Sequence, residues 1–245
     1  SLIFFFNKKC TLEEGNNIHD EVAHILVCKS STKEKLEAFI RLTYAFSEQV
    51  DKDDHYYLPR LFSSLSGLFD KERNISEIEL QGLFAELYVI LYFEDRNCSL
   101  ATHWQSRSKM KFDFSLSEKK RIEIKSTLKS ERVHHFRHEQ LLSELYDIKI
   151  VSIMLQKNDC GISILDLVER IREKFPNDYS LLFRIENITS QVEELQLKNL
   201  KYDENYIRQH ISFYDAKQVP HFNEKTPEGV FNAEYDCSFE NINKM

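Results

Sequence analysis

Phe112 to Thr127 reads FDFSLSEKKRIEIKST, and its charges fall at alternate positions between large apolar residues. With the two-residue period of a strand, Phe112, Phe114 and Leu116 share one face, while Lys111, Asp113 and Ser115 share the other. Ile122 and Ile124 likewise oppose Arg121, Glu123 and Lys125. The spacing predicts two strands, Met110–Leu116 and Arg121–Thr127, joined by a turn at Ser117–Lys120. A hairpin centred on Glu118 sets Asp113 directly opposite Glu123, with Cβ atoms about 5 Å apart. Two carboxylates that close destabilise a sheet unless positive charge lies between them. Mg²⁺ removes the conflict, because it rests on one or two carboxylates plus water and substrate phosphate. Lys125, two residues beyond Glu123 on the same face, would set its ammonium beside the cation, where it can orient a water or offset charge on a phosphate. That is the outline of a phosphodiester-hydrolysis site. Glu118-Lys119-Lys120 has the same Glu-x-Lys spacing but lies in a polar turn, whereas Glu123 and Lys125 alternate with isoleucines.

Glu86 is a second acidic residue in an apolar setting. In GLFAELYVIL, Leu83, Leu87, Ile90 and Leu91 form a helical stripe, and Glu86 falls inside it. A carboxylate on a buried face needs an ion or a hydrogen-bond partner, so Lys125 or the same cation is expected to hold it. Gly82, one turn earlier, would let this helix approach the sheet closely, or marks the helix start.

Further out, Ser30 to Thr32 can cap a helix over KEKLEAFIRLTYAFSEQV, with Leu36, Phe39, Ile40 and Thr43 at helical spacing. A second helix is expected at Tyr56–Phe69, and a third from Ile75 to about Asp95 with Asn74 as a possible cap. Beyond the two strands, Arg137–Tyr146 reads as a helix. Ile148–Leu155 reads as a strand covered on both faces, and Ser163–Phe175 as an amphipathic helix with Ser163 as its cap. After Pro176, SLLFRIENI suggests a strand, EELQLKNLKYDENYI is ambiguous, and ISFYDAKQVPHF with GVFNAEYDCSF suggests a β-rich C-terminal appendage. The fold class is therefore α/β, a mixed β-sheet flanked by helices. Residues 1–74 are expected to supply N-terminal strands and helices, 75–176 the core and 177–245 the appendage. With 5 Gly, 4 Pro and no linker-like tract, one compact domain is expected.

Composition narrows the function. A chain of 245 residues, 42% hydrophobic and 30% charged, can bury a core without disulfides. Its five scattered cysteines include no CxxC pair, which suits a reducing cytoplasm. LIFFF at Leu2–Phe6 is too short for a membrane span or signal core, so no membrane partner is expected. Ser126 and Thr127 lack an acid–His partner, the glycines form no phosphate loop, and His103, His134, His135 and His138 lack zinc spacing. Trp104 reads as a core residue, a base-stacking wedge being the alternative. The net charge is −7, yet Arg107–Arg137 holds ten basic residues against four acidic ones. That asymmetry fits a phosphate-binding strip on an acidic body, or a solvated lysine-rich hairpin. Its candidate contacts are Arg107, Lys109, Lys111, Lys129, Arg132, His134 and Arg137.

At these residues the chain resembles the PD-(D/E)XK nuclease superfamily, with Glu86, Asp113 and Glu123-x-Lys125 at the positions of its helix acid, strand Asp and Glu-x-Lys. GLFAEL, FDF, IEIKST, HEQL, VPHF and PEGVFNAEY resemble, more narrowly, a bacterial family of PD-(D/E)XK members of otherwise unknown function. The resemblance implies a restriction-endonuclease-like core. It also implies DNA cleavage with Mg²⁺, for which Mn²⁺ can substitute, in a restriction-modification or phage-defence setting. A cognate methyltransferase or other defence subunit is then an expected partner, and a homodimer would suit double-strand cutting. Gln140 matches the helix-borne Gln of several relatives and would contact a phosphate or the metal water, an exposed helix residue being the alternative. Phe112 stands where the superfamily has proline, and Glu144 where exonuclease-like branches have tyrosine, which argues for an endonuclease. The competing reading is a non-catalytic DNA-binding or assembly subunit, against which the intact Asp113, Glu123 and Lys125 argue.

Overall fold

In the computed structural model of the chain, the strand at Phe114–Ser115 pairs antiparallel with that at Lys120–Thr127, Phe114 opposite Ile122 and Ser115 opposite Arg121. Continued by one residue, this register sets Asp113 against Glu123, as the alternation predicts. The first strand is only two residues long because the chain bends at Lys111–Asp113. The structure describes residues 2–15, 17–29, 32–49, 61, 65, 75–105, 111–142 and 146–245. They fall into two compact units, Ser1–Arg73 with Leu182–Val192, and Asn74–Leu181 with Glu193–Met245.

In the first unit, β1 (Leu2–Glu14) and β2 (Asn17–Cys28) form an antiparallel hairpin. It turns at Gly15, whose φ of 61° is a left-handed conformation that glycine adopts without strain. Helix α1 (Lys33–Gln49) follows. Its buried face is only in part the expected stripe: Phe39 packs against the core, but Leu36 is 37% and Ile40 63% exposed. Ala38, Leu42 and Phe46 turn inward instead, onto Leu61 and Leu65 with Leu2, Leu26 and Phe183. Alanine on the inner row lets the helix approach its neighbours, so shape rather than the largest apolar residues sets the face. Arg41 Nε donates to the buried Glu186 at 2.9 Å. Apart from Leu61 and Leu65, the helix expected at Tyr56–Phe69 lies outside the described residues.

The second unit opens with α2 (Glu77–Glu94). Its cap is Ser76 rather than Asn74: Ser76 accepts the Glu79 N–H, and Glu79 returns a bond to the Ser76 backbone. Phe84, Leu87, Tyr88, Ile90 and Leu91 bury the middle of this helix, which packs on the strand at Lys120–Thr127 and on the helix at Ile164–Lys174. Gly82 makes no close approach, because a Cβ there would meet open space. The strands that follow are β3 (Phe114–Ser115), β4 (Lys120–Thr127), β5 (Val133–Arg137) and β6 (Asp147–Met154). After β7 (Lys157–Ser163), Ser163 caps α3 (Ile164–Lys174) through the Asp166 N–H. The chain continues through α4 (Tyr179–Thr189), whose residues from Leu182 on belong to the first unit, and then, in the second, α5 (Glu194–Asn199), β8 (Lys201–Tyr202), α6 (Glu204–His210), β9 (Ser212–Asp215) and β10 (Glu234–Ser238).

The main sheet has the order β3-β4-β6-β9, with β4 and β6 parallel and both outer pairs antiparallel. It is the mixed sheet flanked by helices that the periodicity predicts. Three expectations are corrected. The helix expected at Arg137–Tyr146 is a single 3₁₀ turn at His138–Gln140 within the described residues, and VHHFR before it is strand β5, antiparallel to β10. His134 and Phe136 alternate inward there, which a helix would not allow. SLLFRIENI is helical, within α4. Residues 177–245 are a mixture of helices and strands rather than a β-rich appendage, and β9 completes the main sheet. One face of that sheet holds a core of Phe112, Phe136, Leu141, Ile148, Ile150, Tyr214 and Phe239. No helix among the described residues is long and apolar enough to cross a membrane.

Candidate active site

Glu123 sits in the middle of β4 and is 3% exposed. Protein covers both faces of the strand here, so the charge is not on a wet face but inside the fold. Its Oε1 is heavily engaged: Lys125 Nζ lies at 2.8 Å and Gln140 Nε2 donates at 2.6 Å. Its Oε2 is buried and has no hydrogen-bond partner, one of four such side-chain atoms among the described residues. Burial pushes the Glu123 carboxyl above its ordinary range, against the pull of Lys125 and Gln140.

Asp113 stands just before β3, where the chain enters that strand. Its Oδ2 accepts the Ile124 N–H at 2.7 Å, which folds the carboxylate back onto β4 beside Glu123. Burial raises its pKa well above the usual value, and the charges of Glu123 and Glu86 raise it further, only partly opposed by the Ile124 N–H and Lys125. Glu86 lies on α2, half-buried, and its Oε2 accepts the Trp104 indole N–H at 2.6 Å. Its pKa is pushed up to about 7, first by burial and then by the Glu123 charge, while the indole bond opposes both. Three carboxylates from three elements thus raise one another's cost of ionisation.

Gln140 joins the cationic and acidic halves. Its Oε1 accepts from Lys125 Nζ and from the Arg137 N–H, both at 3.1 Å, while Nε2 reaches Glu123. It is neither on a helix nor simply exposed to solvent: the 3₁₀ turn after β5 aims it into the site. Lys125 Nζ also lies 4.7 Å from the Phe136 ring centroid. Lys125, expected as a partner of Glu86, pairs with Glu123 instead, and Glu86 accepts from the Trp104 indole.

The basic residues divide. Lys111, Lys129 and Arg137 are exposed, Lys111 paired with Glu139 at 3.5 Å and Arg137 with Glu234 at 3.4 Å. Arg132 turns inward and donates to Ser152 and to the His210 carbonyl. His134 is buried on Ser152 Oγ at 2.6 Å. Burial, then the charges of Arg132, Lys125 and Lys129, push its pKa down to about 3. Neither side chain is presented to a phosphate in this arrangement. Arg107 and Lys109 lie outside the described residues.

Trp104 and the Ile124 N–H are site components that the motif does not mark. A signal for the first existed: a buried indole needs an acceptor, and a carboxylate on an apolar helix face needs a donor.

Among the described residues no three or more His, Cys, Asp or Glu side chains are grouped so as to hold a metal ion by themselves. The donor set instead fits a hard cation carried on one or two carboxylates and water. The orphaned Glu123 Oε2 next to a raised Asp113 is where such a charge is lacking.

A family model described as "Putative PD-(D/E)XK family member, (DUF4420)" matches residues 8–240. No curated protein and no solved structure matches the chain. With the match running over nearly the whole chain, and Asp113 at the entrance to β3 facing Glu123 and Lys125 on its partner β4, the chain belongs to this family of the PD-(D/E)XK nuclease superfamily.

Proposed function

We propose that the protein is a Mg²⁺-dependent DNA endonuclease, with Mn²⁺ able to replace Mg²⁺. The observation that carries this is the asymmetry of Glu123, one oxygen bound by Lys125 and Gln140 and the other buried without a partner beside two further carboxylates. A structural ion pair would have no use for Asp113 and Glu86 so close, because each raises the other's cost of ionisation.

Asp113 and Glu123 would hold the cation, and Glu86 would complete its water shell. When bound, the cation supplies positive charge to the phosphate under attack and makes a water more acidic. Lys125 is the residue placed to orient the attacking water and to offset charge on the phosphate. Gln140 keeps the ammonium at its post, since Gln140 Oε1 and Glu123 Oε1 are its two acceptors. Lys111, Lys129 and Arg137 are the exposed cations that would follow the phosphate backbone. Service in restriction or phage defence, with a methyltransferase or other subunits alongside, rests on the family resemblance. Cutting both strands would call for two copies of the chain.

Purified protein incubated with unmodified and modified DNA should cut it with Mg²⁺ or Mn²⁺ and not with a chelator. Asp113→Ala and Lys125→Ala should each lower the rate at least about a hundredfold, the scale of a lost electrostatic or acid–base contact. Tight DNA binding with no cleavage of any substrate would favour the assembly-subunit reading instead.

A further inference from the structure

We propose that Trp104 is a positioning residue for the divalent-cation site, fixing the Glu86 and Asp113 carboxylates relative to each other, and that its indole reports when the site is filled. The inference rests on the cation-dependent reading above but adds a residue outside the Asp, Glu-x-Lys pattern.

Trp104 is 1% exposed, and its only polar side-chain atom, Nε1, donates to Glu86 Oε2 at 2.6 Å. That bond selects one rotamer of a carboxylate that otherwise lies along an apolar helix. It also commits Oε2, so Oε1 is the oxygen left to meet a cation or its water. The backbone of the same residue is tied to the opposite side of the site. Trp104 forms an antiparallel bridge with Phe114, and the adjoining Gln105 N–H donates to the Asp113 carbonyl at 2.7 Å. A side-chain bond to α2 and a backbone bridge to β3 thus meet at one residue, between the helix that carries Glu86 and the strand that Asp113 leads into.

A tryptophan placed only to fill the core would not need an ionisable acceptor at that distance. Partners that orient metal-binding carboxylates typically change affinity about 10- to 100-fold when removed. This is the only tryptophan in the chain, so indole emission, excited at wavelengths that the 11 tyrosines do not absorb, reads this position alone.

The test titrates the full chain with Mg²⁺, following indole emission and, in parallel, heat of binding by calorimetry. A saturable emission change with the calorimetric midpoint is expected in the parent, and a lost or much smaller change in Glu86→Gln. Trp104→Phe keeps the ring and removes the N–H, and should weaken Mg²⁺ binding about 10- to 100-fold. In a Glu86→Gln background it should add little further loss. Mg²⁺ binding that leaves the emission unchanged, or fully additive losses in the double variant, would overturn the proposal while leaving the nuclease reading standing. No heat of binding in the parent would overturn both. The parent titration does not depend on whether the Phe variant folds.

Discussion

Glu123 and Lys125 lie two residues apart on the same face of β4, yet their roles in stability differ from those of an exposed pair. Glu123 is almost fully buried and Lys125 mostly so, and their 2.8 Å contact is shared with Gln140. Removing one partner of a buried pair strands the other, which typically costs about 3–5 kcal/mol. Lys125→Met should therefore lower stability in metal-free buffer by roughly 3 kcal/mol, and adding Glu123→Gln should restore most of it, as read by denaturant unfolding. His134 offers a test away from the carboxylates. Its folded-state pKa, near 3, lies below the ordinary value of 6.5. Only the unfolded chain takes up this proton between those pH values, so the stabilisation is complete above pH 6.5 and is lost as pH falls toward 3. The slope is roughly 1.4 kcal/mol per pH unit. His134→Gln, which keeps a hydrogen bond to Ser152 within reach, should flatten the acid limb of a stability–pH curve by about that amount.

Elements whose signals are local were legible. Strand β4 and its register with β3 follow from the alternation of Ile122 and Ile124 with Glu123 and Lys125, and α3 from its apolar spacing after Ser163. Elements that depend on distant partners were not. VHHFR becomes β5 because β10 lies beside it, Tyr235 opposite Phe136 and Cys237 opposite His134, and no window around His134 contains that partner. SLLFRIENI illustrates the ambiguity of a short apolar run: Leu181 and Ile185, four apart, are its buried apolar positions, which is helical spacing. In the site, the residues set by strand period were readable, whereas the Trp104 bond to Glu86 and the turn that aims Gln140 arise from tertiary packing. The β5–β10 pair has energetic consequences for that turn. Phe239 is fully buried, stacks on Phe136 at 5.9 Å and meets Tyr214 edge-on at 4.8 Å. Phe239→Ala should cost about 3–5 kcal/mol in chemical denaturation. It should also loosen the His138–Gln140 turn, visible as faster amide exchange there.

Across the molecule, a chain of net charge −7 gathers three carboxylates inside its second unit and sets exposed cations on segments flanking them. Such a cluster is unfavourable by itself and is the kind of local strain that a functional site retains. A bound cation relieves it, and so does deletion of one charge. Asp113→Asn keeps an acceptor for the Ile124 N–H while removing a charge that Glu86 and Glu123 oppose. The most direct test is therefore paired thermal melting of the parent and Asp113→Asn proteins, each with a chelator and with saturating Mg²⁺. The parent should gain several degrees with Mg²⁺, since ligand at about a hundred times its Kd adds roughly 2.7 kcal/mol. Asp113→Asn should melt higher than the parent in chelator and gain little from Mg²⁺. A parent that ignores the cation, or a variant that gains as much as the parent, would contradict a cation seat at Asp113 and Glu123.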